Sequence, residues 1–407
     1  MPAESSEPHR QLPDRPNLRH LKDQAKALLK AGKAASLSDA QLKIARMYGF
    51  SSWPRLKTHV DEKNLSEEVN ELKQAIDTND LDRVKRLMKR NPALHRAPIG
   101  YGKNGPLTWV AECRVPWEPP TPARLAMALW MIENGSDVHQ GGDGPLMRAA
   151  LRDDRIPMME LLLRNGADVN AEWGGFFPII FAPCETLAPE SLQWLIDHGA
   201  NPDCARAGRK YPDTALDYVI GTYSRSERLS ACIEILLAAG CPMRRNIPAV
   251  LEILRGRIGR LRELLDADPG LVNRRFRELD FGSTGSRSLT LRGGSLLHVA
   301  AEYGNVEAAQ LLLERGADVN ARAEIDKAGV GGQTPLFHAV SQFFEFGLPM
   351  TEFLVTHGAN TELSARIPGH YERPEEVVDS TPLGYAQQFP GGENKTTAFL
   401  RRARGLG

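Results

Sequence analysis

One string recurs along this chain and constrains its fold more than any other feature. Its two nearest copies are LLLRNGADVNA at 161–171 and LLLERGADVNA at 311–321. The general form is an apolar triplet, two residues, a glycine, a small residue and then Asn or Asp. It returns as MIENGSDVH (131–139), WLIDHGANPD (194–203), ILLAAGCPM (235–243) and FLVTHGANTE (353–362). Its glycines are Gly135, Gly166, Gly199, Gly240, Gly316 and Gly358, and two successive gaps are 31 and 33 residues. A period of this size signals a stack of like units, each unable to bury its apolar face alone.

A second string lies upstream of most copies. It reads GPLTWVA (105–111), GPLMRAA (144–150), FPIIFAP (177–183), TALDYVI (214–220), SLLHVAA (295–301), TPLFHAV (334–340) and TPLGYAQ (381–387). Thr334 and Thr381 suit an N-cap, and Pro335 and Pro382 then take the first helical position, where a missing N–H costs nothing. Ala149, Ala150, Ala300 and Ala301 are small enough for helices to approach closely. Residues 294–320 spell out one whole unit. Ser295 caps a short helix through Glu302, and Tyr303-Gly304-Asn305 turns the chain. A second helix follows over 306–315, with polar Glu307, Gln310 and Glu314 along one stripe. Gly316 ends it in the left-handed conformation.

These residues resemble the ankyrin repeat family, whose marks are T-P-L-H-x-A-A, a G-N/H turn and L-L-L-x-x-G-A-D-V-N. The best copy is SLLHVAAEYGNVEAAQLLLERGADVNAR (295–322). The match is also specific at 144–171, looser at 176–204, 333–362 and 380–404, and faint at 105–140 and 213–245. Two stretches, 69–94 and 247–272, fit only as helix pairs. The family's T-P-L-H histidine stands only at His298, and insertions interrupt the pattern at 113–124, 222–230 and 343–349. The resemblance implies an all-α ankyrin repeat solenoid with short β-hairpin fingers over 66–405, in about nine units. Residues 1–15 are polar and Pro-rich and read as a disordered tail. Residues 16–62 read as an N-terminal helical cap, with Leu18, Leu21, Ala25, Leu28 and Leu29 as one apolar face. Gly49, Phe50, Ser52, Trp53 and Leu56 there are similar to the G-F-x-S-W-x-x-L leader of bacterial ankyrin proteins, which points to a bacterial source.

Composition excludes several roles. Fifty-one basic residues balance fifty-one acidic ones, leaving no global field to draw in nucleic acid or an anionic membrane. Five widely spaced cysteines without a C-x-x-C pair argue for free thiols in a reducing compartment rather than a disulfide framework or zinc site. The N-terminus has no apolar signal segment and no run is long enough to span a bilayer, so the expected location is cytoplasmic.

No catalytic set is legible. G-x-S-x-G, H-E-x-x-H and the P-loop string are all missing. FGSTGSRS (281–288) has its glycines at the wrong spacing for a phosphate cradle. His198 and His357 both precede a helix-ending glycine, where an imidazole favours the last carbonyls. The expectation is therefore no enzyme, no metal and no cofactor.

Function then falls to the fingers. By resemblance they and the first helices line a concave face that binds a partner protein. Trp173, Phe176, Arg206, Arg209, Lys210, Tyr211, Arg275, Arg287 and Arg292 are the candidate contact residues, because aromatic and Arg side chains anchor interfaces. Their charge points to a partner with acidic patches. Two alternatives stand beside this. Residues 14–63 hold eleven Lys/Arg against five Asp/Glu, and a DNA-associated regulator could use them; Pro54 and Arg55 sit poorly with a recognition helix. An enzyme with a site in the 274–294 insertion is the other.

Overall fold

Asn17 and Ser36 accept main-chain N–H groups at the starts of helices Leu18–Lys30 and Leu37–Met47. A third helix, Trp53–Lys63, closes a small core of Leu21, Ala25, Ala34, Ala40, Ile44, Ala45, Leu56 and Val60, with Phe50 and Trp53 packed on it. Leu29, expected on the buried face, is instead 38% exposed. Leu21, Ala25 and Leu28 hold the centre of the stripe, and Leu29 lies one step round the helix from it. The computed structural model describes residues 10–13, 16–63, 67–100, 104–204, 214–222, 224–244, 246–279, 281, 289–342, 345–369, 376–388 and 394–405. Most of the expected disordered tail, 1–15, lies outside them.

The chain forms two units, residues 1–140 and 141–407. In the first, the three N-terminal helices are followed by the pairs Glu67–Asp77 with Leu81–Arg90, and Pro106–Glu112 with Pro122–Glu133. The two pairs are tied by polar contacts. The Trp109 indole N–H donates to Asp77 Oδ1 at 2.7 Å, and Lys73 Nζ sits 4.8 Å above the Trp109 ring.

In the second unit, helix Gln140–Ala149 begins at the boundary and pairs with Ile156–Arg164. Six more pairs follow: Phe181–Thr186 with Pro189–Asp197, Ala215–Gly221 with Arg228–Ala238, Pro248–Leu254 with Ile258–Ala267, Leu296–Glu302 with Val306–Glu314, Pro335–Val340 with Leu348–Thr356, and Pro382–Ala386 with Lys395–Ala403. First helices pack on first helices at Phe181–Thr186 with Ala215–Gly221 and along the run Pro248–Leu254, Leu296–Glu302, Pro335–Val340 and Pro382–Ala386, and the second helices of those same repeats do likewise. This is an all-α repeat architecture, and small residues such as Ala300, Ala301, Ala308 and Ala309, none of them exposed, let the layers close.

The recurring string has one physical job. Its six glycines all have positive φ, from 73° to 111°. The residue after each glycine donates its N–H five residues back, as in Ala167 to Leu162 O (3.1 Å), Ala317 to Leu312 O (2.9 Å) and Ala359 to Leu354 O (2.9 Å). That is the Schellman closure of a helix. The asparagine that follows reaches the next unit. Asn170 Nδ2 donates to Gly199 O and its Oδ1 accepts from Asn201 N; Asn320 repeats this with Gly358 O (3.1 Å) and Asn360 N (2.7 Å). Asn273, in a unit lacking G-A-D, makes the same bridge to Gly316 O and Asp318 N. Asn320→Ala should remove two bonds worth about 0.5–1.5 kcal/mol each, lowering the urea midpoint with little change in slope.

The caps differ from expectation in one place. Thr381 accepts from Gly384 N as an N-cap should. Thr334 occupies the N-cap position, but its buried hydroxyl has no hydrogen-bond partner among the described residues. The Phe337 N–H goes to the Thr334 carbonyl (3.0 Å) instead.

Candidate functional site

Three fingers of the second unit join edge to edge. Finger 274–294 closes at its base through Phe276 N to Gly294 O (2.9 Å) and Gly293 N to Phe276 O (2.8 Å). Glu324 N donates to Gly293 O (3.0 Å), linking it to finger 321–333. Gly331 N then donates to Arg366 O (2.7 Å), linking that finger to the hairpin of strands Ala365–Pro368 and Val377–Ser380. Gly331 has φ 130°, and a Cβ there would run into the Glu324 carbonyl. Only glycine lets the backbones meet this closely.

Arginines reinforce the row. Arg275 Nε donates to Arg322 O at 2.8 Å and its Nη1 to Asn273 O at 2.8 Å. Arg322 Nη1 donates onward to Ser364 O (2.9 Å) and Gly332 O (3.1 Å). Arg277 pairs with Glu324, which raises the Arg277 pKa above its ordinary value. Among the residues facing outward are Arg292, Lys327, Arg366 and Asp326, all exposed, and Ile325, which is 62% exposed.

The candidate contact residues therefore separate. Trp173 and Phe176 belong to the hairpin Glu172–Trp173 with Phe177–Pro178, and both are half-buried. Trp173 lies 5.8 Å from Phe176 and edge-on to Phe177 at 6.2 Å. Phe177 continues to Phe181 and Tyr218, which stack at 4.1 Å. These rings are in part packing and in part surface. Arg275 is a cross-tie, its guanidinium committed to carbonyls of this chain. Arg292 is exposed on the turn beside Gly293. Arg206, Arg209, Lys210, Tyr211 and Arg287 lie outside the described residues. The aromatic finger and the Arg275/Arg292 finger are separated by the helix pairs at 215–238 and 248–267.

A buried ionic cluster lies behind the fingers. Arg225, in the insertion between Ala215–Gly221 and Arg228–Ala238, places its guanidinium Nη2 at 3.0 Å from Glu302 Oε1. His338 Nδ1 donates to Glu302 Oε2 at 2.7 Å. The side chains are 4%, 0% and 0% exposed for Arg225, Glu302 and His338. Arg225 also donates to Thr222 O (2.6 Å) and Ser224 O (2.8 Å) and stacks 4.4 Å over Tyr303, whose hydroxyl donates to Ile220 O at 2.6 Å. The cluster bolts the insertion to two later repeats. His338 stands four residues after Thr334, where His298 stands three after Ser295. That offset turns His338 toward the preceding repeat instead of its own cap.

His298 keeps the family's bracing role. Ser295 N donates to its Nδ1 and its Nε2–H donates to Gln333 O, both at 3.0 Å, so the ring is the neutral Nε2–H tautomer. Burial, with a smaller push from His338, depresses its pKa to about 3. His198 and His357 donate from Nδ1 to Trp194 O (2.7 Å) and Phe353 O (2.8 Å), the helix-end role expected of them. All five cysteines are buried free thiols. Burial lifts the Cys184 thiol well above its ordinary value and the Cys232 thiol to about 12, so neither is a ready nucleophile. Among the described residues no group of three or more His, Cys, Asp or Glu is placed to hold a metal, and no helix is long and apolar enough to cross a membrane.

Residues 231–365 match a model of ankyrin repeats in three copies, and residues 141–172 match the single ankyrin repeat. The mouse (Mus musculus) B-cell lymphoma 3 protein homolog is 44% identical over 85 residues, which is 20% of this chain and 17% of that protein. The chain thus matches only a small part of that relative's length. The crystal structure of the human ASB11 ankyrin repeat domain aligns at 19% identity over 64% of this chain and 97% of that domain, with a TM-score of 0.31. The matched repeats, with their glycine-closed helix pairs and linked fingers, identify residues 141–172 and 231–365 as ankyrin repeats.

Proposed function

We propose that the chain is a non-catalytic scaffold that binds a partner protein through the fingers and concave repeat surface of residues 141–407, in the cytoplasm. Ankyrin repeats generally mediate protein–protein interaction. The observation that carries the reading is what the finger row leaves over. Backbone hydrogen bonds, Arg275 and Arg322 make the row self-supporting, yet Ile325 stands 62% exposed with Arg292, Lys327 and Arg366 also outward. A fixed apolar side chain among cations suits a partner that offers an apolar contact ringed by carboxylates. Trp173 and Phe176, half-buried on an earlier finger, are proposed as a second, separate contact.

The test is affinity capture with the full chain and with Arg292→Glu/Ile325→Asp/Arg366→Glu. These side chains carry no packing in the core, so the variant should unfold at the same urea concentration as the parent. Recovery of the captured partner should fall at least tenfold, and the parent's recovery should weaken as salt is raised. Equal recovery by parent and variant would remove the fingers from the interface.

A further inference from the structure

The last strand of the finger row, Val377–Ser380, has one edge with no strand partner among the described residues. It pairs antiparallel with Ala365–Pro368, with Ile367 opposite Val378 and Arg366 opposite Asp379. Gly369 N donates to Glu376 O at 3.0 Å. Alternation then makes Ile367/Val378 and Ala365/Ser380 the hydrogen-bonded pairs. On the inner strand the outward groups are used: Arg366 O accepts from Gly331 N, and Pro368 O from the Tyr385 hydroxyl at 2.9 Å. On the outer strand the N–H and C=O of Val377 and Asp379 face away from the hairpin, and neither residue hydrogen-bonds any described residue. Such an edge is a template for another strand. Every earlier junction in the row, Gly293 with Glu324 and Gly331 with Arg366, is met by the same kind of backbone bond.

We propose that this edge binds an extended segment of a partner protein by strand addition, with a lysine or arginine opposite Asp379 and a β-branched residue opposite Val377. The side chains set that preference. Val377 and Asp379 share the exposed face, Val377 at 38% exposure. A cation from the incoming strand would flank Asp379 on the side away from Arg366. On the other face, Val378 packs against the cluster of Leu289, Phe337, Ile367 and Tyr385, and an apolar residue of the added strand would extend that cluster. A second copy of this chain is the poorer occupant, since self-pairing centred on Asp379 sets two carboxylates opposite each other. The inference rests on the interaction reading only for the class of occupant; the residues concerned are different.

Proline supplies the test. At an edge position whose N–H points outward, proline keeps the existing ladder and removes the donor an added strand needs. The probes are two fluorescein-labelled peptides, Thr-Val-Lys-Val-Thr and Thr-Val-Glu-Val-Thr, titrated against the full chain by fluorescence anisotropy. The parent should bind the lysine peptide at least tenfold more tightly than the glutamate one. Asp379→Pro should lose that binding at least tenfold with an unchanged urea midpoint, and Asp379→Lys should reverse the preference. Asp379→Asn keeps the backbone and should lose only the preference, so a variant that fails to fold cannot mimic the result. Arg292→Glu/Ile325→Asp should still bind the peptide through the edge, which separates this inference from the finger reading. The proposal is overturned if neither peptide binds, if Asp379→Pro binds as the parent does, or if the parent instead dimerises in a way Asp379→Pro abolishes.

Discussion

Glu302→Leu is expected to destabilise residues 141–407 by about 3–5 kcal/mol, the usual cost of stranding a buried charge by deleting its partner. Arg225 is 4% exposed and cannot rehydrate without pulling its insertion off the repeats. His338 would also lose the acceptor of its Nδ1–H. The second step is more telling. Arg225→Leu/Glu302→Leu removes both charges at similar volume and should recover much of the loss, because burying an ion pair costs nearly as much as the pair returns. Urea unfolding of the parent, the single variants and the double variant gives the coupling directly. Additive losses would mean that the cluster is no unit.

Stability is also expected to fall on mild acidification because of His298. Its folded pKa is about 3, against 6.5 for the free side chain. The unfolded chain therefore takes up a proton in a range where the folded chain does not. Its contribution is complete above pH 6.5 and is lost as pH falls toward 3, at roughly 1.4 kcal/mol per pH unit. From pH 7 to pH 5 this amounts to about 2 kcal/mol. His298→Gln keeps an acceptor for Ser295 N and does not titrate. The parent should lose about 2 kcal/mol more than that variant over the interval, measured by urea midpoints at the two pH values. Parallel pH profiles would contradict the buried neutral imidazole.

Much of the repeat was legible because it is local. The segment 294–320 folds almost as its letters read: Leu296–Glu302, a turn with Gly304 at φ 69°, Val306–Glu314, then Gly316 at φ 86°. Capping, periodicity and glycine conformations act over a few residues, so one sequence reveals them. The ionic cluster was not legible, because it joins residues 77 positions apart through an insertion whose path no period predicts. Its only trace was the one-residue displacement of His338 from the T-P-L-H position. Arg275 shows the opposite failure. An arginine on a finger resembles an interface anchor by type, but two carbonyls within reach make it a brace. Residue type announces what a side chain can do; the neighbours decide whether it is already occupied. Ile325 is not legible for a related reason, since nothing in AEIDKAGVGG marks which apolar residue the finger turns outward.

Hydrogen–deuterium exchange of the full chain, alone and with its captured partner, shows whether the fingers of residues 141–407 bind a partner protein. Protection should concentrate in 289–294, 322–332 and 365–380, with the second helices, such as Val306–Glu314, unchanged. Protection confined to those helices, or to the basic helices of 16–63, would contradict the account.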